Sequence, residues 1–527
     1  MKKMYLVLFT FHCLIISLFS QVQEEWVSRY NFNQNTTYQQ PYKVKNDNNG
    51  NIYVAGYVVK SSLPDDWDYI LLKYNSNGVL LWTASYDGPP HGVDELRSMT
   101  LDNQGNIYIT GTSMGLNSSE DFCTIKYNSS GVMLWQSRYS SEGNFGDQAW
   151  DIAVDNFGNT YVTGSTNINI IVTVKYNVNG IQEWVSSYTN NHCCNIGFAI
   201  TVDDFRNSYI AGGEWEGGSN EYENYISIKY DPQGNEVWRN TYGQPLLDEY
   251  ADEIILDESR NVYISGRGID KSYIVKYNNT GTRLWANEFL NGRISAFKVD
   301  NYENVYVTGE AQGKITTIKY DSIGTLIWDA TYSENPTNWS MADDLVLDVE
   351  GNVYITGLLQ RPVTFQDYGV LKYSSSGTLL WDKSYNGSGN NLDWAHSITL
   401  DNNKNVYVTG RSGDSLGYAD IVTIKYNQLI GIQPISNEIP ISFSLSQNYP
   451  NPFNPETKIR FALPKSSFTK IIIYDAIGRE IETIVNGQLT SGTYETDWNA
   501  INYPSGIYYY KLSTESYSET KKMVLIK

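Results

Sequence analysis

The chain has 527 residues and a formal net charge of −20, with 58 acidic against 38 basic side chains. That balance repels nucleic acid and anionic membrane surfaces, and it suits an extracellular protein or one that attracts cations. Four cysteines cannot staple a chain of this length, so packing must hold it together.

Lys2 and Lys3 precede an apolar run from Met4 to Phe19, then Ser20-Gln21. This reads as a secretory signal peptide over residues 1–20, because sixteen residues are too few to span a bilayer as a helix. No later stretch is apolar enough to cross a membrane, so the expected product is exported, and either soluble or held at the cell surface by other means. It keeps Cys123, Cys193 and Cys194, and the strained geometry of neighbouring cysteines disfavours a 193–194 bridge.

From residue 21 to 427 one phrase recurs eight times: an Asx-rich turn followed by Asn-x-Tyr-x-x-Gly, from Asn51–Gly56 to Asn405–Gly410. The asparagines lie 43 to 55 residues apart, the period of a repeat architecture. A second phrase, Lys73-Tyr74 through Gly78 to Trp82, has relatives ending at Trp135, Trp184, Trp238, Trp285, Trp328 and Trp381. Residues 97–139 show the unit. Ser98–Leu101 alternates, Asp102–Gly105 turns, and Asn106–Ser113, Asp121–Tyr127 and Val132–Tyr139 follow as strands with no helical period. Four antiparallel strands with two apolar faces bury both only when stacked radially, as in a β-propeller.

The eighth unit ends at Lys425-Tyr426-Asn427 without its tryptophan strand, while Glu25-Trp26-Val27-Ser28-Arg29-Tyr30 echoes Glu183–Tyr188. The N-terminal strand is therefore expected to complete the last unit and remove the free edges. These units resemble the SBBP β-propeller repeat family across residues 24–427. The family name implies seven blades, whereas the count here is eight. The expected class is all-β, an eight-bladed (alternatively seven-bladed) propeller.

Residues 428–442 read as a linker by composition. Residues 443–527 read as a small immunoglobulin-like β-sandwich of short alternating strands parted by Gly, Pro and Asn turns. The run Tyr449-Pro450-Asn451-Pro452-Phe453-Asn454-Pro455, the turn Pro504-Ser505-Gly506-Ile507-Tyr508 and the tail Lys521-Lys522-Met523-Val524-Leu525-Ile526-Lys527 resemble the type A C-terminal sorting domain of the type IX secretion system. The resemblance implies two-step export, recognition by the type IX machinery, and either release or attachment at the surface.

Chemistry is sparse. Gly78-x-x-x-Trp82 and its relatives share a short spacing with quinone-dependent propeller dehydrogenases, but a tryptophan at one blade position is first an inter-blade wedge, burying about 150–250 Å². Gly111-Thr112-Ser113-Met114-Gly115 matches a nucleophile elbow without the helix that motif requires. His91, His192 and His396 are expected on one rim, in connections between units. His192-Cys193-Cys194 are too close in sequence to converge on one zinc ion. Asp47-Asn48-Asn49-Gly50-Asn51 and its copies read as capped turns and lack the bidentate glutamate of an EF-hand.

Eight residues before the turn aspartates stand Asp94, Asp147, Glu249 and Asp393, with Asn195 in another unit, and Trp150, Tyr250, Trp339 and Trp394 lie close by. Equivalent positions form a ring, so these carboxylates are expected around one channel mouth. There they would hold a calcium ion or a sugar chain, with Trp150 and Trp394 bordering it; local capping of each loop is the plainer alternative. The expected function is an exported, non-enzymatic binding or scaffold protein. A secreted polysaccharide hydrolase or lyase and a structural surface-layer component are the alternatives.

Overall fold

The computed structural model describes residues 22–527 except 33–35, 61–65, 117, 144, 168, 191–193, 217–221, 244–248, 269–270, 290–291, 334–338, 362–363, 415–417, 429–431, 437–438, 490 and 502. The signal peptide, His192 and Cys193 therefore lie outside the described residues. Among the described residues there is no helix. Contacts divide the chain into a unit over Glu24–Asn427 and a second comprising Gln428–Lys527 with the residues before Glu24.

In the larger unit the strands form six separate four-stranded sheets and one eight-stranded sheet. The larger sheet divides into two four-strand sets, joined where Tyr38 pairs with Ala419. One set is Thr36–Asn46, Ile52–Lys60, Trp67–Tyr74 and Leu80–Tyr86. The other is Asp393–Leu400, Val406–Gly413, Ala419–Gln428 and the N-terminal strand Val22–Tyr30. The first strands of consecutive sets touch one another around a closed ring, and Asp393–Leu400 meets Thr36–Asn46 to complete it. This is a propeller.

The repeated phrase has a local cause. Asp102 Oδ1 accepts the backbone N–H groups of Gln104 and Asn106, while its Oδ2 accepts from Asn106 Nδ2 and the Tyr108 hydroxyl. One carboxylate thus closes the turn and fixes both the asparagine and the tyrosine of Asn-x-Tyr. Asp47, Asp155, Asp203, Asp300, Asp348 and Asp401 repeat the pattern on their own turns.

The tryptophan phrase joins neighbours. Trp82, Trp135, Trp184, Trp238, Trp285 and Trp328 each donate an indole N–H to a carbonyl in the turn between the third and fourth strands of the next set, at 3.0–3.3 Å. The glycine of that turn sits under the ring with φ near +80°, a conformation and a clearance that a side chain would deny. The tryptophan is a lid on the neighbouring turn more than a buried wedge.

The smaller unit has two four-stranded sheets around one core that includes Ile459, Phe461, Ile471, Trp498, Tyr510, Met523 and Leu525. The stretch 428–442 is not linker throughout: Ile432–Ser436 forms a strand paired with Gly492–Asn499. Backbone hydrogen bonding there prevails over a Pro-rich composition, as it can at a sheet edge.

Candidate binding site in the central bore

Each of the eight first strands carries a β-bulge at the same place, between Pro41 and Lys43, Leu96 and Ser98, Ala149 and Asp151, Gly197 and Ala199, Ala251 and Glu253, Ile294 and Ala296, Ala342 and Asp344, and Ala395 and Ser397. The repeated glycine makes room for it. A Cβ on Gly111, Gly164, Gly266 or Gly410 would lie 1.9–2.1 Å from the carbonyl oxygen of Glu95, Gln148, Tyr250 or Trp394 in the adjoining first strand. Glycine therefore permits the bulge, and the bulge re-aims one side chain per strand.

The re-aimed residues are Tyr42, Arg97, Trp150, Phe198, Asp252, Ser295, Asp343 and His396, all half-buried and each preceded by a buried residue. Together with Tyr250, Trp394 and Arg411 they form a belt around the bore. The Arg97 guanidinium lies 4.4 Å from the Trp150 ring and pairs with Glu95 at 2.6 Å, and Glu95 accepts from the Tyr42 hydroxyl at 3.0 Å. Trp150 meets Phe198 at 5.1 Å, and Phe198 meets Tyr250 at 5.1 Å. Asp252 pairs with Arg267 at 2.7 Å, a close contact but a poorly aligned hydrogen bond. Burial pushes its carboxyl up to about 6 against that attraction, and Glu253 adds to the rise. His396 Nδ1 lies 3.1 Å from Asp343 and its ring 5.0 Å from Trp394.

One residue after Trp150, Asp252 and Asp343, Asp151 accepts from Ile200 N and Ser98 Oγ, Glu253 from Phe297 N and Lys298 Nζ, and Asp344 from Ile398 N and Ser397 Oγ. These carboxylates brace one set against the next.

Of the residues expected at the channel mouth, Trp150 and Trp394 are in the belt and the four carboxylates are not. Asp94, Asp147, Glu249 and Asp393 are fully buried at the start of their strands. Asp94 accepts from the backbone N–H of Gly88, Asp147 from Ser141 N at 2.6 Å and Oγ at 2.8 Å, and Asp393 from Gly387 N at 2.7 Å. Each ties down the loop leading into its own strand, and Asn195 does the same through Asn190 Oδ1 and Asn169 O. Burial raises the Asp94 and Asp393 carboxyls, offset by hydrogen bonds from Ser113 and Ser412. His396 likewise sits within a first strand, not in a connection, whereas His91 lies in a loop and bonds Asp87 at 2.9 Å. Trp339 is half-exposed outside the belt, its backbone N–H donating to Gln360 Oε1.

Among the described residues, the carboxylates close enough to share a cation are Asp66, Asp68 and Asp87, which the sequence did not single out. Lys60 Nζ already occupies their centre, 2.7 Å from Asp68, 3.0 Å from Asp87 and 3.4 Å from Asp66. Burial nevertheless lifts Asp68 to about 6.

In the smaller unit, Lys521–Lys527 covers the end of the edge strand Ser518–Leu525, paired with Gly506–Ser513. Met523 and Leu525 are buried in the core, while Lys522, Ile526 and Lys527 are exposed.

Residues 447–527 match the family described as secretion system C-terminal sorting domain. This is an exported protein. The sorting domain directs it to type IX secretion and the cell surface. Residues 143–171 and 385–417 match the β-propeller repeat family. The solved structure of the Dos1 propeller aligns over 77% of this chain and 95% of its own, at 7% identity and a TM-score of 0.52, a likeness of fold. PorZ, an essential bacterial surface component of the type IX secretion system of Porphyromonas gingivalis, aligns over 92% of this chain and 74% of its own, at 15% identity and a TM-score of 0.40. No curated protein matches the sequence. Among the described residues, no helix is long and apolar enough to cross a membrane.

Proposed function

We propose that this exported propeller is a binding protein whose ligand, an extracellular glycan, seats in the bore against the belt. The observation that carries the reading is the unbroken run of rings Trp150, Phe198 and Tyr250 along three consecutive first strands, with Trp394 four strands beyond Phe198 in the ring of eight. Half-buried aromatic faces amid carboxylates, amides and guanidinium groups suit a sugar, which offers an apolar C–H face and a polar rim. A binding role is favoured over polysaccharide cleavage because Asp94, Asp147, Glu249 and Asp393 are buried, and three of them are engaged in closing their loops. Their burial also weighs against a calcium ion shared among them. In the smaller unit, Lys521–Lys527 is the segment offered to the secretion machinery.

A glycan array probed with the full chain tests this. The wild type is expected to give hits that vanish in Trp150→Ala/Trp394→Ala while the melting transition stays cooperative. Hits that persist in the double variant, or an array without hits, contradict it.

A further inference from the structure

Two of the arginines at the belt have carboxylate partners. Arg97 pairs with Glu95 at 2.6 Å and Arg267 with Asp252 at 2.7 Å. Arg411 has none among the described residues. It stands opposite Trp394 in the strand pairing, its guanidinium 5.1 Å from the Trp394 ring and 5.2 Å from the Tyr38 ring, and Nη1 donates to Gln40 Oε1 at 3.2 Å. Its Nε is buried with no acceptor. Two neighbours are in the same condition: Trp394 Nε1 and His396 Nε2 are buried without a hydrogen-bond partner. Such groups are costly to leave unmatched, and in a protein with 58 acidic residues a guanidinium lacking a counter-charge is conspicuous.

The unmatched groups differ in kind. The guanidinium asks for an anion and is shaped for a carboxylate. The indole N–H asks for an oxygen acceptor. With Asp343 taking the Nδ1 proton, His396 Nε2 presents a lone pair and asks for a donor such as a hydroxyl. A sulfate ion supplies no hydroxyl donor beside its charge, a phosphate ion supplies one but no C–H face for the rings, and a neutral sugar supplies no charge. A hexuronate carries a ring carboxylate, hydroxyls that donate and accept, and a C–H face for the Trp394 and Tyr38 rings.

We infer that the corner formed by Arg411, Trp394 and His396 selects a carboxylated sugar, a hexuronate unit of a polysaccharide. The inference rests on the bore-binding reading and names the class of its ligand.

The test is calorimetric titration of the full chain with tetragalacturonate and with the neutral galactose tetramer, with oligoglutamate as a non-sugar polyanion. The acidic tetramer is expected to bind at least ten-fold more tightly than the neutral one at 50 mM salt, with the advantage shrinking at 500 mM. Arg411→Gln should erase the difference between the two tetramers, and Arg411→Lys should restore part of it. Equal affinity for the two sugars, no change in Arg411→Gln, or oligoglutamate binding as tightly as the uronate overturns the inference. If the neutral tetramer binds through Trp150 and Trp394 without acidic preference, the bore still binds and only the selectivity fails. If neither sugar binds, both readings fall.

Discussion

The indole N–H of Trp26 donates to the carbonyl of Ser76 at 3.1 Å, joining the N-terminal strand to the first full set of strands. It reproduces the contact that Trp135 makes with Val178. A Cβ on Gly78 would lie 2.5 Å from the Trp26 ring, so the two surfaces are closely fitted. The same strand is anchored on its other side, where Arg29 pairs with Asp420 at 2.8 Å and bonds Ser412 Oγ at 2.7 Å, and Glu25 pairs with Lys425 at 2.9 Å. The closing contact is thus an ordinary repeat contact made by the other end of the chain. Trp26→Ala is expected to cost about 1–3 kcal/mol, below the range for a fully buried tryptophan because this one is half-exposed. Deleting residues 22–30 should cost more. Chemical denaturation checks both, and an unchanged midpoint in the deletion contradicts closure by this strand.

The bulges give a second prediction. In Gly164→Ala the new methyl would meet the Gln148 carbonyl at 2.0 Å and the Phe122 ring at 2.6 Å, and backbone cannot yield as a flexible side chain can. We expect a loss of about 3 kcal/mol or more, read by urea unfolding. A loss below about 1 kcal/mol would mean that the glycine is not what accommodates the bulge.

Much of this was legible in the chain. The turn aspartates, asparagines and tyrosines announce one another because a single carboxylate binds all three, and the missing eighth tryptophan strand points to residues 24–30. The belt was legible only in its aromatics Trp150, Tyr250 and Trp394, because one inserted residue per strand reverses which positions face the bore. Counting back from turn residue Asp155, Asp147 falls inside the propeller wall while Trp150, displaced by the bulge, faces the bore. Simple alternation therefore picks out carboxylates that close loops and overlooks Arg97, Asp252, Asp343 and Arg411. Arg97 meets Trp150 and Asp343 meets His396 on the neighbouring set, some 50 residues away, and Arg411 meets Gln40 and Tyr38 across the closure, separations that no local pattern records.

A third prediction concerns pH. The Asp252 carboxyl titrates near 6 in the folded protein and near 4 when unfolded, so between those values the folded state holds the proton more firmly. Protonation there stabilises the fold, and the contribution is lost as pH rises through about 6. Wild type should therefore gain stability relative to Asp252→Asn as pH falls from 7 to 4.5. Parallel stability curves for the two proteins would contradict the raised value.

Export supplies the fourth. Removing Lys521–Lys527 takes Met523 and Leu525 out of the sandwich core and shortens its edge strand, without removing any residue of the propeller. Extracellular yield should fall at least ten-fold while a protease-resistant propeller accumulates in the periplasm. Normal yield outside the cell would contradict the role assigned to this segment.

The most direct measurement of bore binding is hydrogen exchange on the full chain with and without a glycan that it binds on the array. If the ligand seats against the belt, amides in the first strands Asp147–Val154, Glu249–Leu256 and Asp393–Leu400 should slow, while those in the peripheral strands Leu80–Tyr86 and Met133–Tyr139 stay unchanged. Protection confined to the peripheral strands, with the first strands unaffected, would contradict a ligand in the bore.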